Sequence, residues 1–352
     1  MPPPGLRATI GRLLFVGVPG PTLDDATRRI LEGLHVGGVI LFRRNVGTPA
    51  EIVSLTAELH ALPSQPLVAI DHEGGRVLRL GEPFTAFPPA AAVGRTRNPD
   101  LAYRVGLAMG EELASVGIDL NFAPVLDVNS NPANPVIGDR AFDGDPKRVS
   151  EMGIALMHGL HDGGVLSCGK HFPGHGDTEK DSHLELPVVH RSRAELEHTE
   201  LVPFRAAIAA GVPMLMSAHV LYPALDPDHP ATLSRKILTD LLRGELRFAG
   251  VVASDDLAMR AITGDQSIAD AAVSTLRAGA DALLVCQELE RAGEAFAAIE
   301  AAVAIGSVDT TTVSAAATRI HGLRALRREA SPAECRLPNV QHRALLDELR
   351  AV

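Results

Sequence analysis

Short runs of consecutive apolar residues punctuate this chain, and most follow an amphipathic stretch that closes near a glycine. The unit reads Leu34-His-Val-Gly-Gly-Val-Ile-Leu-Phe42, then Leu113-Ala-Ser-Val-Gly-Ile-Asp-Leu-Asn-Phe122 and Leu160-His-Asp-Gly-Gly-Val-Leu-Ser-Cys168. It returns at Ile208–Met216, Phe248–Ala253 and Leu276–Val285, and Leu13–Val18 and Leu67–Ile70 add two more apolar runs. Each glycine is expected to end its helix in a left-handed cap before the chain enters a buried strand. Continuous rather than alternating apolar runs suit a parallel sheet covered on both faces. Eight of them alternating with helical segments predict an α/β fold, a single (β/α)8 TIM-type barrel; a distorted barrel would give the same pattern. The barrel is assigned to residues 1–330, with a last helix N-capped by Asp309 and running to about Glu329. Residues 331–352 read as a proline-interrupted C-terminal tail packing on the barrel, with no assignable role.

Polar residues fall at the C-terminal edges of these runs: Asp71, Asp127, Lys170-His171, His219 and Asp255. In a barrel those edges meet on one face, where loops build active sites, so distant parts of the chain are expected to line one pocket.

The densest chemistry lies in 170–187, Lys-His-Phe-Pro-Gly-His-Gly-Asp-Thr-Glu-Lys-Asp-Ser-His-Leu-Glu-Leu-Pro. Pro173, Gly174 and Gly176 forbid a regular helix, so the stretch is predicted to be a mobile loop following a strand that ends at Cys168. Five of the fourteen histidines fall between His161 and His190, too many for an ordinary solvated surface.

Composition narrows the partners. A net charge of −10 without a Lys/Arg stripe argues against nucleic acid and anionic membranes. The run Leu13–Val18 is shorter than a signal-peptide core, and no segment approaches the ~18 apolar residues of a membrane span. Of three widely spaced cysteines, Cys168, Cys286 and Cys335, the first two lie in apolar runs and read as buried free thiols. The expectation is a cytoplasmic, monomeric protein with no membrane association. With no Trp and two Tyr, the chain has few aromatic platforms for stacking along an extended ligand, which favours a small pocket.

The 170–187 stretch, Ile70-Asp-His-Glu-Gly-Gly-Arg-Val-Leu-Arg79, Phe122-Ala-Pro-Val-Leu-Asp-Val128, Ile137-Gly-Asp-Arg-Ala-Phe142 and Ser254-Asp-Asp-Leu-Ala-Met259 together resemble family 3 glycoside hydrolases. The resemblance is to their single-domain bacterial β-N-acetylglucosaminidases that recycle cell-wall fragments, and it spans roughly 55–290 in the family's order. It implies retaining hydrolysis of terminal β-linked N-acetylglucosamine from a small carbohydrate, an N-acetylglucosaminyl muropeptide, with no cofactor and no metal. It further implies Asp255 as the nucleophile, an Asp181–His183 pair as acid/base, and Asp71, Arg79, Arg140, Lys170 and His171 as substrate-binding residues.

The residues themselves fit those roles. Asp255 stands at a strand's C-terminal edge, where catalytic side chains collect, and its neighbour Asp256 should point away by strand alternation. Asp181 and His183, two apart on a loop, can meet, and an imidazole with a pKa near ~6.5 both gives and takes a proton at neutral pH. Asp71 can accept from adjacent hydroxyls, while Lys170 and the arginines donate; Asp127 and His219 read as supports.

Rival readings stay open. Glu179 or Glu185 could act as a conventional carboxylic acid, and specificity could be for β-glucosides or for phosphate as acceptor. From other classes come a metal-dependent hydrolase using His171, His175 and Asp177, and a non-catalytic sugar-binding barrel.

Overall fold

The structure, a computed structural model, describes residues 5–179, 185–264, 266–327 and 337–350. Eight strands form a closed, wholly parallel barrel in sequence order: β1 (Leu14–Gly17), β2 (Gly38–Leu41), β3 (Leu67–Ile70), β4 (Leu120–Asn121), β5 (Leu166–Phe172), β6 (Met214–Ser217), β7 (Val251–Asp256) and β8 (Ala282–Val285). Pairing of Phe15 with Leu284 closes the ring between β1 and β8. Almost every strand residue is buried, as the continuous apolar runs require, because side chains face the barrel centre on one side and the helical layer on the other.

Helix starts follow local chemistry. Asp24, Asn98, Asp145, Ser267 and Asp309 each accept a backbone N–H of the first turn, and Thr48 and Ser192 build reciprocal capping boxes with Glu51 and Glu195. The helix begun by Asp309 runs Thr310–Ala325.

The expected glycine caps are only partly realised. Gly279 does take the left-handed position after the helix Ile268–Ala278, at φ 116°. Before β2 and β7, however, His35 (φ 56°) and Arg247 (φ 59°) take it instead. The nearby glycines serve close approach: a Cβ on Gly37 would stand 1.9 Å from the Arg12 carbonyl oxygen, and one on Gly250 would stand 2.5 Å from that of Pro213.

Two irregularities position the site. The β5–β6 register shifts between Lys170 and Phe172, and the β7–β8 register shifts between Ala253 and Asp256. Both lie at C-terminal strand ends, where a bulge re-aims the side chains that follow. β5 therefore extends beyond Cys168 to Phe172, and Lys170 and His171 are strand residues rather than loop residues. They stay in the ladder because Leu126 N–H bonds to the Lys170 carbonyl on one side and Ala218 N–H to the Phe172 carbonyl on the other.

A second apolar cluster outside the barrel gathers Phe87, Val105, Met109, Phe142, Met152 and Leu156 with Leu345 and Leu349 of the helix Val340–Arg350. Cys168 and Cys286 are buried and unpaired by disulfide. Among the described residues no helix is long and apolar enough to cross a membrane.

Candidate active site

A cavity of about 250 Å³ opens at the C-terminal end of the barrel, below the ~300–1,000 Å³ typical of drug-sized pockets. Asp71, Arg79, Arg140, Lys170, His171 and Asp255, six of the eight site residues expected from sequence, all line it. The other two, Asp181 and His183, lie outside the described residues.

Strand β3 delivers the first carboxylates. The amide of Asn121 clamps the backbone of His72 from both sides, accepting its N–H at 2.9 Å and donating to its carbonyl at 2.8 Å. This holds the end of β3 extended, with Asp71 and Glu73 both facing the cavity. His72 itself is buried, and that burial pushes its imidazole down to a pKa of about 4. The turn after Glu73 is tight: Gly74 sits at φ 104°, where a Cβ would also meet the Pro88 carbonyl oxygen at 2.4 Å.

The charged side chains interlock. Lys170 Nζ lies 2.7 Å from Asp71 Oδ1 and 2.6 Å from Glu73 Oε1, and Arg140 donates two parallel bonds of 2.8 Å to Glu73. Arg79 stands 3.6 Å from the other oxygen of Asp71. Burial alone would raise the Glu73 pKa, but Arg140 and Lys170 overcome it and hold this carboxylate ionised well below its usual range. Glu73 is a cavity residue to which the sequence reading assigned no binding role. It lies two positions after Asp71, just past the end of β3.

Behind these groups Asp127 is fully buried and organises the 171–175 backbone. Its Oδ2 meets His171 Nδ1 at 2.7 Å, and its Oδ1 accepts the N–H groups of His171 and His175 at 3.1 and 2.7 Å. Residues 174–178, the first part of the loop expected, are held by several side-chain hydrogen bonds. Tyr222 donates to the Gly174 carbonyl at 2.6 Å, and the amide of Asn134 reaches the carbonyls of His175 and Gly176 and the hydroxyl of Thr178. These contacts are between side chains and a glycine-rich backbone, so they leave no trace in periodicity.

Asp255 enters the cavity from β7. One oxygen, Oδ1, accepts the N–H of Asp256 at 2.8 Å. Burial opposes its charge, yet His219, His171, that N–H and Lys170 keep its pKa below the ordinary carboxylate value. Asp256 turns its Oδ1 to the backbone N–H groups of Ala258 and Cys286, at 3.0 and 3.1 Å. His219 sits beneath, between the hydroxyl of Thr232 (2.8 Å) and the carbonyl of Asp256 (2.9 Å). The cavity thus holds an ionised carboxylate with one fixed and one accessible oxygen, facing a ring of fixed donors and acceptors suited to hydroxyl and amide groups.

Of the rival carboxylic acids, Glu179 lines a separate surface groove with Asp177 and His190 rather than this cavity. Asp177, the carboxylate a metal reading would enlist, pairs with Arg191 at 2.8 Å, and His175 Nδ1 is engaged by Thr178. Among the described residues, no three His, Cys, Asp or Glu side chains converge as metal ligands.

Comparison with known proteins places this architecture. Residues 5–323 match the family described as "Glycosyl hydrolase family 3 N terminal domain". A protein named β-hexosaminidase from Nitrosomonas eutropha is 43% identical over 294 residues, covering 82% of this chain and 84% of the relative. A glycoside hydrolase family 3 β-N-acetylglucosaminidase from Paenibacillus sp. str. FPU-7 superposes with a TM-score of 0.94 at 40% identity, over 98% of this chain and 68% of that one. NagZ from Neisseria gonorrhoeae, solved with N-trifluoroacetyl-D-glucosamine, gives 0.82 at 34% identity, over 96% and 97% of the two chains.

Proposed function

This chain belongs to glycosyl hydrolase family 3, and from that premise we propose that it is a β-N-acetylhexosaminidase. It releases non-reducing terminal β-linked N-acetylglucosamine with retention of configuration, from muropeptide fragments of peptidoglycan in the cytoplasm. The observation that carries the reading is Asp255: an ionised carboxylate at a barrel strand end, one oxygen tethered by the Asp256 N–H, facing the Asp71–Lys170–Glu73–Arg140 cluster across a cavity sized for one sugar.

Retaining hydrolysis proceeds in two displacements. Asp71 accepts from sugar hydroxyls, Lys170, His171 and Arg140 donate to hydroxyls or to the N-acetyl carbonyl, and Arg79 closes the far side of Asp71. The free oxygen of Asp255 attacks the anomeric carbon while the bond to the aglycone oxygen breaks and that oxygen takes a proton from His183. Water then gives its proton back to His183 and attacks the same carbon, and the ester bond to Asp255 breaks. A neutral-or-positive imidazole puts no second anion beside the nucleophile, and Asp181 holds its tautomer. The resemblance supports assigning Asp181 and His183, and Glu179 lines a separate groove.

The test compares turnover of nitrophenyl β-N-acetylglucosaminide with the β-glucoside, each with and without phosphate and EDTA. Preferential, EDTA-insensitive hydrolysis of the N-acetylated substrate is expected. Preference for the glucoside would overturn the specificity, loss of activity with EDTA restored by zinc would install the metallohydrolase reading, and no turnover at all would favour a binding barrel.

A further inference from the structure

Apart from its histidines, the cavity is lined by four cations, Arg44, Arg79, Arg140 and Lys170, and by four carboxylates, Asp71, Glu73, Asp255 and Asp256. Glu73 is central to that balance. Its side chain is 5% exposed and sits between Lys170, 3% exposed, and Arg140, 11% exposed, bonding both at once. Arg140 takes both of its oxygens, and Lys170 shares one of them. Lys170 in turn reaches Asp71.

We infer that Glu73 is a specificity-determining, positioning residue: it is the built-in counter-anion that fixes Lys170 and Arg140 as donors to an uncharged sugar and keeps the cavity closed to anions. Two cations this deep demand a negative partner, since an unpaired buried charge is strongly disfavoured. With Glu73 present, protein supplies that partner, and the guanidinium and ammonium present their remaining N–H groups at set angles. Without its charge, four cations would face three carboxylates, and a small oxyanion entering the adjoining cavity would restore the balance by accepting from Lys170 and Arg140. Glu73 would then act through Lys170 and Arg140, not by touching the reacting atoms. The inference rests on the proposed sugar-binding role of those two residues.

The experiment is Glu73→Gln, a near-isosteric loss of charge, with inorganic sulfate as probe and sodium chloride at matched ionic strength as control. KM for nitrophenyl β-N-acetylglucosaminide is expected to rise about 10–100-fold with a smaller change in kcat, as when charge-assisted hydrogen bonds to a substrate are lost. Sulfate should become a competitive inhibitor at millimolar concentration and raise the Tm of the variant, while doing neither to the wild type beyond the chloride control. Glu73→Asp, which keeps the charge one carbon short, should lose the sulfate sensitivity again while keeping a raised KM. A wild-type KM in Glu73→Gln, a raised KM without sulfate sensitivity, or sulfate sensitivity retained in Glu73→Asp overturns the inference. Should Glu73→Gln fail to fold, the charge-balanced Glu73→Gln/Arg140→Gln pair is expected to fold and to ignore sulfate; failure of either overturns it as well. The Tm shift needs no turnover, so a protein inactive on every glycoside would sink the proposed function and leave this test standing.

Discussion

Asp127 and His171, 44 positions apart, are joined twice: the ring Nδ1 lies 2.7 Å from one carboxylate oxygen, and the backbone N–H of the histidine bonds the other at 3.1 Å. One fully buried side chain therefore sets both where the imidazole stands and which way it faces. That oxygen also holds the His175 N–H at 2.7 Å, so the acid anchors the whole turn that follows β5. Burial opposes its charge, but His171 and His175 outweigh it and keep its pKa lowered.

Replacing Asp127 with Asn removes the charge and sets an NH2 against N–H donors. A loss of about 3–5 kcal/mol is expected, the usual scale for breaking a buried charged pair, with a fall in kcat/KM as His171 loses its orientation. The folded pKa being depressed, this stabilisation is present above the unfolded carboxylate pKa and lost as pH falls through the folded one. Urea melts of wild type and variant should converge in acid; a constant gap from pH 7 to pH 3 would remove Asp127 as the cause.

Asp255→Ala should reduce turnover by on the order of 10⁴–10⁶-fold, the range seen when a nucleophilic unit is removed, while calorimetry still detects N-acetylglucosamine. A 2-fluoro sugar with a good leaving group should label Asp255 in the wild type. Peptide mapping of the label to Asp256 or Glu73 would reassign the nucleophile.

If His183 protonates the departing oxygen, His183→Ala should harm a sugar leaving group far more than nitrophenolate, which is already a stable anion. The difference should be about 10²–10⁴-fold, the usual reach of general acid help, and Asp181→Asn should follow the same trend more mildly. The same leaving-group dependence in Glu185→Gln or Glu179→Gln, and not in His183→Ala, would transfer the role.

At Gly176 a Cβ would stand 1.6 Å from the Val128 carbonyl oxygen, a backbone atom that cannot move aside. Gly176→Ala should lose about 1–3 kcal/mol, the common cost of overpacking, and lower kcat/KM by displacing the 174–178 turn. Unchanged kinetics would show that this turn is not needed where the structure puts it.

His342 lies between two carboxylates, with Nδ1 2.9 Å from Glu112 and Nε2 2.8 Å from Glu111. Burial disfavours its charge, but hydrogen bonds to Glu112 and Glu111 prevail and raise its pKa above 6.5. Glu112 also receives the N–H and hydroxyl of Thr85, so the helix Val340–Arg350 is tied to the segment leading from Arg79 to Phe87. With the folded pKa raised, this stabilisation is complete below the unfolded pKa and lost as pH rises through the folded one. The Tm gap between wild type and His342→Gln should therefore be widest near pH 6 and shrink toward pH 9; an equal gap at both would show that His342 does not dock as a cation.

What the chain alone determined is local and repetitive. Eight apolar runs specified eight strands, because a parallel strand buried on both faces must be continuously apolar, and that pattern needs no knowledge of partners. Placing Asp71, Lys170, His171 and Asp255 at the ends of those runs was enough to bring them to one face, since barrel closure takes every strand end to the same rim. Tertiary structure decided the rest. Which side chain answers which is settled by pairs far apart in the chain, such as Glu73 with Arg140, 67 positions away, and His342 with Glu112, 230 away. No local pattern encodes such a pair, because the desolvation that makes it necessary exists only once the barrel has closed around it. The same holds for the two register shifts that aim Lys170, His171 and Asp255, and for His35 and Arg247 in left-handed positions where a glycine stood nearby. There the glycine was required by a neighbouring backbone, and only the packed neighbour reveals why.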